Sequence, residues 1–248
     1  MGAVPSRLSW RVATVRAVQP ETQRVLSLVL DVPGWDGHQP GQHIDVRLTA
    51  ADGYQAQRSY SISSAPEDPA ITITVERLDD GEVSPYLADV LRPGDGLELR
   101  GPIGGWFTWT TQDGGPLLLV AGGSGLAPLM AMLRHRAARR STVPVRLLYS
   151  SRGFDDIIYR AELDRLVSHD PDLAVVHTLT RSQPPGWTGY ARRIDGAMLA
   201  AVAWAPEARP LAMVCGPTPM VEAVADALVA LGHDPGRIRT ERFGPTGG

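Results

Sequence analysis

Residues 117–128 read LLLVAGGSGLAP, and this stretch decides the fold class of the second half of the chain. Its first four residues form a continuous apolar run, which is typical of a parallel strand covered on both faces. A glycine-rich turn follows at once, and residues 126–139 have the pattern of a helix. A strand, a glycine turn and a helix in this order favour pyrophosphate binding at the turn, with tight packing of the glycines as the alternative. We therefore expect a doubly wound α/β domain.

The chain beyond this helix continues the alternation of strands and helices. The predicted elements are a strand at 145–149, a helix near 159–168, further apolar segments at 173–179, 197–203 and 211–215, a helix from Thr218 that stops at Gly232, and a last strand at 238–243. Ligands of such a domain are expected at the carboxyl ends of its strands.

The first half of the chain has short strands separated by turns instead. An apolar run occupies 25–30, and apolar residues alternate with polar ones at 44–48 and 71–75. Pro-Gly and Asp-Gly pairs separate these segments, and we expect one short helix over 84–91. Many short strands at this spacing favour an antiparallel β-barrel or sandwich. The turn at 113–115 divides the chain, so we predict one domain over 1–112 and a second over 113–248.

Composition excludes several classes of function. The 248 residues are 43% apolar and 21% charged, as in a globular protein of one or two domains. A net charge of −3 gives no reason to expect nucleic acid or an anionic membrane as a partner. No apolar run approaches the roughly 20 residues of a membrane span, and no secretion signal is visible. Cys215 is the only cysteine, so these residues cannot hold an iron–sulfur cluster through thiolates, and a reducing cytoplasm suits them. We expect no metal site.

Residues 58–64, RSYSISS, bring a cation, an aromatic ring and several hydroxyls together at the end of a predicted strand. A flavin cofactor needs this set. Arg58 suits a phosphate, the Tyr60 ring suits the isoalloxazine, and the hydroxyls of Ser59 and Ser61 suit its polar edge. The alternative is an ordinary strand, in which Ser, Tyr and Ile are common.

Candidate dinucleotide ligands follow three predicted strands. The glycine turn offers Gly122, Gly123, Ser124, Gly125 and Pro128. The next strand ends at Ser151 and Arg152, and Arg181 follows the third. Arginines here suit a 2′-phosphate, whereas an acidic residue would hold the ribose 2′-hydroxyl of NAD. This favours NADPH, with NADH possible because Asp155 and Asp156 lie close by.

Cys215 precedes Gly216 and Pro217 at the end of another predicted strand. The thiol there could pack against a nicotinamide ring, although a lone strand-end cysteine is usually a small buried hydrophobe. No base stands beside it in the sequence, so we do not expect a nucleophile.

In chain order these motifs resemble the ferredoxin–NADP reductase superfamily, in particular its short bacterial form without a fused ferredoxin domain. The matching positions are Arg58, Tyr60 and Ser61; Val75 and Arg77 followed by Gly81 and Ser84; the segment 101–107, similar to the loop that closes the flavin domain; Gly122, Gly123, Gly125 and Pro128; Cys215, Gly216 and Pro217; and Glu241 with Phe243. The resemblance implies an FAD-binding antiparallel β-barrel over 1–112 and an NAD(P)-binding doubly wound domain over 113–248.

The resemblance also implies roles for these residues. Arg58 would bind the FAD phosphates, Tyr60 would lie against one flavin face, and Ser61 would hydrogen-bond near N5. Phe243 would shield the other face and Glu241 would handle protons, although here the aromatic is Phe and the chain continues through 245–248. The second flavin segment, which would contact the ribityl and pyrophosphate groups, comprises Val75, Arg77, Gly81, Glu82, Val83 and Ser84.

The implied function is a flavin-dependent NAD(P)H oxidoreductase in the cytoplasm. It would pass hydride from NADPH to FAD, and then electrons to a separate ferredoxin or oxygenase component. Two alternatives stay open, namely a flavin or ferric reductase with a free acceptor and a flavin-binding sensor without turnover. The sequence leaves open the acceptor, the choice between FAD and FMN, and the oligomeric state.

Overall fold

The computed structural model describes residues 8–244, which form an antiparallel sheet followed by a parallel one. The residues of the two predicted domains that fall in 1–7 and 245–248 lie outside the described part of the chain. Within residues 8–244, no helix combines the length and the apolar character that crossing a membrane requires.

The first sheet has six antiparallel strands: β1 (Arg11–Pro20), β2 (Val25–Asp31), β3 (His43–Thr49), β4 (Gln55–Ser61), β5 (Ile71–Glu76) and β6 (Gly96–Ile103). Their order is β4-β3-β6-β1-β2-β5. A bridge between Ile62 and Ile73 joins the residue after β4 to β5, so the two edges of the sheet meet and the strands form a barrel. Apolar residues that alternate along the strands, such as Ile44 and Val46, fill its interior. The predicted antiparallel barrel is confirmed.

Of two local predictions in the barrel, one is wrong in detail and one is confirmed. Residues 101–103 belong to β6 and not to a loop, because Ile103 still pairs with His43 beyond a bulge in β6. The short helix predicted over 84–91 is confirmed, because residues 84–90 are helical and the last five, Tyr86–Val90, form a π-helical turn. Ser84 is the first residue of this helix, and its hydroxyl accepts a hydrogen bond from the Leu78 amide at 3.1 Å.

The second sheet is parallel, with strands β7 (Leu117–Gly122), β8 (Val145–Ser151), β9 (Leu173–Leu179), β10 (Leu211–Pro217) and β11 (Ile238–Phe243) in the order β11-β10-β7-β8-β9. The longer helices are α1 (Leu126–Ala138), α2 (Arg160–His169), α3 (Gly196–Val202) and α4 (Thr218–Ala230). The predicted doubly wound domain is confirmed, and the apolar segment 197–203 is helix α3. The strand order places the carboxyl ends of β10, β7 and β8 side by side, where this fold class binds ligands.

The two domains share core residues at their junction. Phe107 and Trp109 precede the predicted boundary, yet both pack in the buried cluster of the second domain. The Trp109 indole donates to the Gly114 carbonyl at 3.0 Å, which fixes the linker against that cluster. The boundary at residue 113 stays a proposal. The packing indicates that the barrel's last residues help to build its neighbour's core.

Candidate active site

Strand β4 presents Arg58 and Tyr60 on one face, because side chains alternate along a strand. The half-exposed Arg58 guanidinium donates to the Glu82 carboxylate at 2.8 Å. The Tyr54 hydroxyl donates to the same carboxylate at 2.7 Å. These two hydrogen bonds lower the pKa of Glu82. The structure therefore brings the two predicted flavin segments together.

Tyr60 and Ser59 differ in what they can offer a flavin. Tyr60 packs partly against the barrel core, and this burial raises the pKa of its phenol to about 12. The ring thus stays neutral at physiological pH. The Ser59 hydroxyl donates instead to the buried Asp45 at 2.6 Å. Its side chain is engaged away from Arg58, so a flavin contact by Ser59 would have to use its backbone.

The second flavin segment is tied to acidic neighbours. Arg77 donates to Asp89 at 2.9 Å and is also paired with Asp79. Val75 and Val83 are fully buried in the barrel core, so only their backbone groups could reach a ligand. Gly81 begins the turn that leads to Ser84, and its amide donates to the Leu78 carbonyl.

Three residues predicted to act in hydride transfer converge from the two domains. The Ser61 hydroxyl of the barrel donates to Glu241 Oε1 of the second domain at 3.4 Å. Cys215 is the direct neighbour of Glu241 in the register of β10 and β11. Burial, and then the nearby Glu241 carboxylate, raise the pKa of the Cys215 thiol well above its usual value. This thiol is therefore a neutral, buried group and not a nucleophile.

The Glu241 carboxyl group has a raised pKa and one oxygen that is free to contact a bound cofactor. Burial raises its pKa to about 7, and the hydrogen bond from Ser61 offsets part of this rise. Its second oxygen, Oε2, is buried and has no hydrogen-bond partner among residues 8–244. A carboxyl group with an unused buried oxygen can hold or release a proton near neutral pH. Two residues further on, Phe243 pairs with Pro217 and packs against the second domain's core.

The glycine turn combines packing with open space. A Cβ on Gly125 would lie 2.4 Å from the Cys215 carbonyl oxygen, and one on Gly122 would lie 2.5 Å from the Met220 sulfur. Packing against the β10 backbone therefore requires glycine at position 125, whereas at position 122 the end of the Met220 side chain would have to move. Gly123 is different, because it has φ +54° and a Cβ there would meet nothing within 4 Å. The open backbone at Gly123 is the part of the turn that a phosphate can approach.

The rest of the predicted dinucleotide site lies beside this turn. Gly216 packs against Met220 as Gly122 does, and Pro128 is buried in the first turn of α1. Arg152 and Arg181 are both exposed after β8 and β9, and the Arg181 amide donates to the Arg152 carbonyl at 2.8 Å. Neither guanidinium has an ion-pair partner in the described part of the chain. Ser151 is buried beside them.

Two residues near the site were not predicted. Tyr54 lies at the tip of the β3–β4 hairpin and reaches Glu82, which only the hairpin register reveals. Glu76 stands between Val75 and Arg77 in the sequence, and its carboxylate accepts a hydrogen bond from Ser124 of the glycine turn at 2.8 Å. Over residues 8–244 no group of three or more potential ligands could hold a metal ion.

Glu241→Gln is expected to change how stability depends on pH. The folded pKa of about 7 exceeds the usual 4.5. The folded parent therefore holds a proton that the unfolded chain has lost, and its free energy of unfolding falls as pH rises through this window. The loss amounts to about 3 kcal/mol. Urea unfolding of the ligand-free protein at pH 4.5 and pH 8 measures it, and the variant should lack this loss. Parallel pH profiles would contradict the burial of this carboxyl.

A barrel with an exposed arginine on β4, followed by a parallel domain with a glycine turn, is the arrangement of an oxidoreductase that binds a flavin and a nicotinamide dinucleotide. Comparison with known families agrees. The oxidoreductase FAD-binding domain matches residues 12–108, and the oxidoreductase NAD-binding domain matches residues 119–226. The chain belongs to the ferredoxin–NADP reductase superfamily, as its motifs predict.

Relatives and solved structures support this assignment. The chain is 34% identical to a glycine betaine monooxygenase reductase subunit of Chromohalobacter salexigens, over 90% of this chain and 61% of that protein. It is 29% identical to a toluate 1,2-dioxygenase electron transfer component of Pseudomonas putida, over 82% of this chain and 58% of that one. The chain thus spans about three fifths of the length of these relatives.

Among solved structures, the chain is similar to a cytochrome P450 reductase of Amycolatopsis, with a TM-score of 0.83 and 29% identity over 98% of this chain and 72% of that one. It is equally similar to the FAD/NAD-binding domain of a nitric oxide dioxygenase from Vibrio cholerae, with a TM-score of 0.83 and 28% identity over 95% and 99% of the two chains.

Proposed function

We propose that this chain is an NADPH-dependent flavoprotein reductase that passes electrons to a separate ferredoxin or oxygenase component. The observation that carries the proposal is the contact of Ser61 with Glu241, which joins the flavin strand to the nicotinamide side of the second domain. Two relatives, a monooxygenase reductase subunit and a dioxygenase electron transfer component, support an oxygenase component as the acceptor. One cysteine is too few for an iron–sulfur cluster held by these 248 residues, so any cluster that accepts the electrons lies outside them.

Each site residue has a defined task in this proposal. When bound, FAD takes up hydride from the reduced nicotinamide and releases electrons singly or in pairs. Arg58 binds a phosphate group, and Tyr60 supplies a neutral aromatic face. Ser61 donates a hydrogen bond at the domain junction, and Glu241 holds or accepts a proton there. Gly123 offers open backbone N–H groups to the dinucleotide pyrophosphate, while Cys215 and Phe243 exclude water from the nicotinamide side.

An anaerobic titration tests the proposal. The purified protein is loaded with FAD, freed of excess cofactor and titrated with NADPH. We expect the yellow absorbance to bleach, and to return when a ferredoxin or oxygenase component is added. Bleaching that only free flavin or ferric complexes reverse would favour a reductase with a small acceptor. Colour that NADPH does not bleach would favour a flavin-binding sensor, and failure to retain FAD would contradict the proposal.

Arg152→Gln and Arg181→Gln are expected to reduce the preference for NADPH. Both guanidinium groups are exposed at the strand ends where the 2′-phosphate of NADPH is proposed to bind. Loss of a charge-assisted contact lowers kcat/KM for NADPH by roughly 10- to 100-fold, with kcat/KM for NADH nearly unchanged. Arg140→Gln, in the turn after α1, is the matched control. Equal losses with NADPH and NADH would contradict 2′-phosphate recognition by these residues.

We also propose a cytoplasmic location. The single cysteine, Cys215, is a free thiol, and free thiols are typical of proteins in a reducing compartment. Fractionation of the source cells, followed by detection of the protein, tests it.

A further inference from the structure

Strand β5 faces the second domain with two alternate residues, Thr74 and Glu76. The Thr74 hydroxyl shares a hydrogen bond with the hydroxyl of Tyr159, which lies just before α2. The same tyrosine hydroxyl lies 3.3 Å from the Ser27 hydroxyl of β2. Tyr159 therefore touches two neighbouring strands of the barrel with one polar atom, although it belongs to the other domain.

The surroundings of Tyr159 hold it in one position. Its backbone has φ +56°, in the left-handed region, and the residue is 5% exposed. The Arg134 guanidinium lies 4.7 Å from the centre of its ring. Arg134 also donates to the Ser63 carbonyl of the barrel at 2.7 Å and to Glu162 of α2 at 2.6 Å. Left-handed backbone at a tyrosine is costly, and it persists where packing and hydrogen bonds enforce it.

A second tyrosine links this position to the glycine turn. The amide of Ile158, next to Tyr159, donates to the Tyr149 hydroxyl at 3.3 Å. That hydroxyl in turn donates to the Gly123 carbonyl at 3.3 Å. Tyr149 is fully buried at the end of β8, so its hydroxyl has a fixed position. The turn is thus anchored through Tyr149 to the residue beside Tyr159.

A further hydrogen bond connects the glycine turn back to strand β5. Ser124, next to Gly123, donates to Glu76 Oε2 at 2.8 Å, and Glu76 is two residues from Thr74 on the same face of β5. Hydrogen bonds and short stretches of backbone therefore form a closed circuit, which we call the seam ring. Its members are Thr74, Tyr159, Ile158, Tyr149, Gly123, Ser124 and Glu76.

We propose that the seam ring fixes the glycine turn relative to the barrel, which carries the proposed flavin site, and that Tyr159 is a positioning residue for hydride transfer. This inference rests on the proposed function. The barrel holds the flavin and the turn holds the dinucleotide, so the contact of their rings depends on how the domains are registered. A displacement of about 1 Å at the reacting atoms can slow transfer 100-fold. Binding of the dinucleotide depends on the internal geometry of the glycine turn, which the hydrogen bond between Tyr159 and Thr74 does not touch.

Tyr159→Phe tests the inference, because it keeps the aromatic ring under Arg134 and removes only the hydroxyl. Stopped-flow reduction of the FAD-loaded protein is measured over a range of NADPH concentrations. We expect the limiting rate to fall about 10-fold or more, with FAD content and the dissociation constant for NADPH within twofold of the parent. The long-wavelength absorbance that reports stacking of flavin and nicotinamide should weaken as well. A role in stability alone would leave this absorbance unchanged.

Thr74→Val removes the other hydroxyl of the same hydrogen bond and covers the case in which Tyr159→Phe does not fold. Tyr190→Phe is the matched control, because no hydrogen bond of its hydroxyl joins it to the rest of residues 8–244. Hydrogen exchange of the ligand-free proteins should rise over 71–76 and 121–126 in the two seam variants but not in the control. Unchanged limiting rates, or losses explained by weaker NADPH or FAD binding, would overturn the inference. If NADPH does not reduce the parent, the proposed function fails, and unchanged exchange in both seam variants would then overturn the seam ring by itself.

Discussion

Gly125→Ala is expected to destabilise the protein by about 3 kcal/mol or more and to abolish tight dinucleotide binding. The added methyl group would lie 2.4 Å from the Cys215 carbonyl oxygen, 2.6 Å from its carbonyl carbon and 2.8 Å from the Gly216 amide nitrogen. All three atoms belong to the backbone of β10, so no side chain can move aside. Either the strand or the glycine turn must shift, and both lie at the edge where the dinucleotide is proposed to bind.

The measurements are thermal unfolding and titration with NADP⁺. The destabilisation corresponds to a fall in Tm of about 6–12 °C for a chain of this size. The dissociation constant for NADP⁺ should rise by about 30-fold or more, since a displaced turn no longer aims its N–H groups at the pyrophosphate. Gly196→Ala at the start of α3 is the control, because a Cβ there would meet nothing within 4 Å. A Gly125→Ala protein with the parent's Tm and NADP⁺ affinity would show that β10 and the turn separate easily.

The sequence predicts the two architectures because their local patterns are strong. The run of four apolar residues before the glycine turn can be satisfied only by burial on both faces, and β7 is buried along its whole length. The polar strand β4 has no apolar run of this kind. Its place at one end of the strand order follows from its pairing with β3. The loop expected over 101–107 rests on the family resemblance alone, and its first three residues are strand because a bulge lets the pairing of β6 continue.

Contacts between distant segments could not be predicted from one chain. Ser61 and Glu241 are 180 positions apart, and their hydrogen bond exists only because β11 lies at the edge of the second sheet that faces the barrel's β4. The glycine turn illustrates a different limit. Its motif predicts phosphate binding, whereas the structure assigns Gly122 and Gly125 to packing and leaves Gly123 as the exposed position. The same motif therefore contains glycines needed for packing and a glycine left open to a phosphate, and the spacing of the residues does not tell the two kinds apart.

Arg58→Ala is expected to weaken FAD binding by roughly 10- to 100-fold, because an arginine donates charge-assisted hydrogen bonds to a phosphate that alanine cannot replace. Equilibrium dialysis or the quenching of flavin fluorescence measures the dissociation constant. Arg47→Ala is the matched control. Arg47 has the same kind of ion pair, with Glu98 at 3.0 Å, but it lies on β3 and outside the predicted flavin segments. Equal FAD affinity in Arg58→Ala and Arg47→Ala would remove Arg58 from the cofactor site.

A substitution of Glu82 is expected to change FAD affinity in the opposite direction. Its carboxylate holds the Arg58 guanidinium at 2.8 Å, so a cofactor phosphate must compete with it for the same donors. Glu82→Gln keeps the shape of the side chain and removes its charge. FAD affinity should then rise, by up to about fivefold, since an exposed ion pair is weak and its loss frees the guanidinium for the phosphate. Glu98→Gln should leave FAD affinity unchanged. If Glu82→Gln instead weakens FAD binding as Arg58→Ala does, the carboxylate orients Arg58 toward the phosphate and does not compete with it.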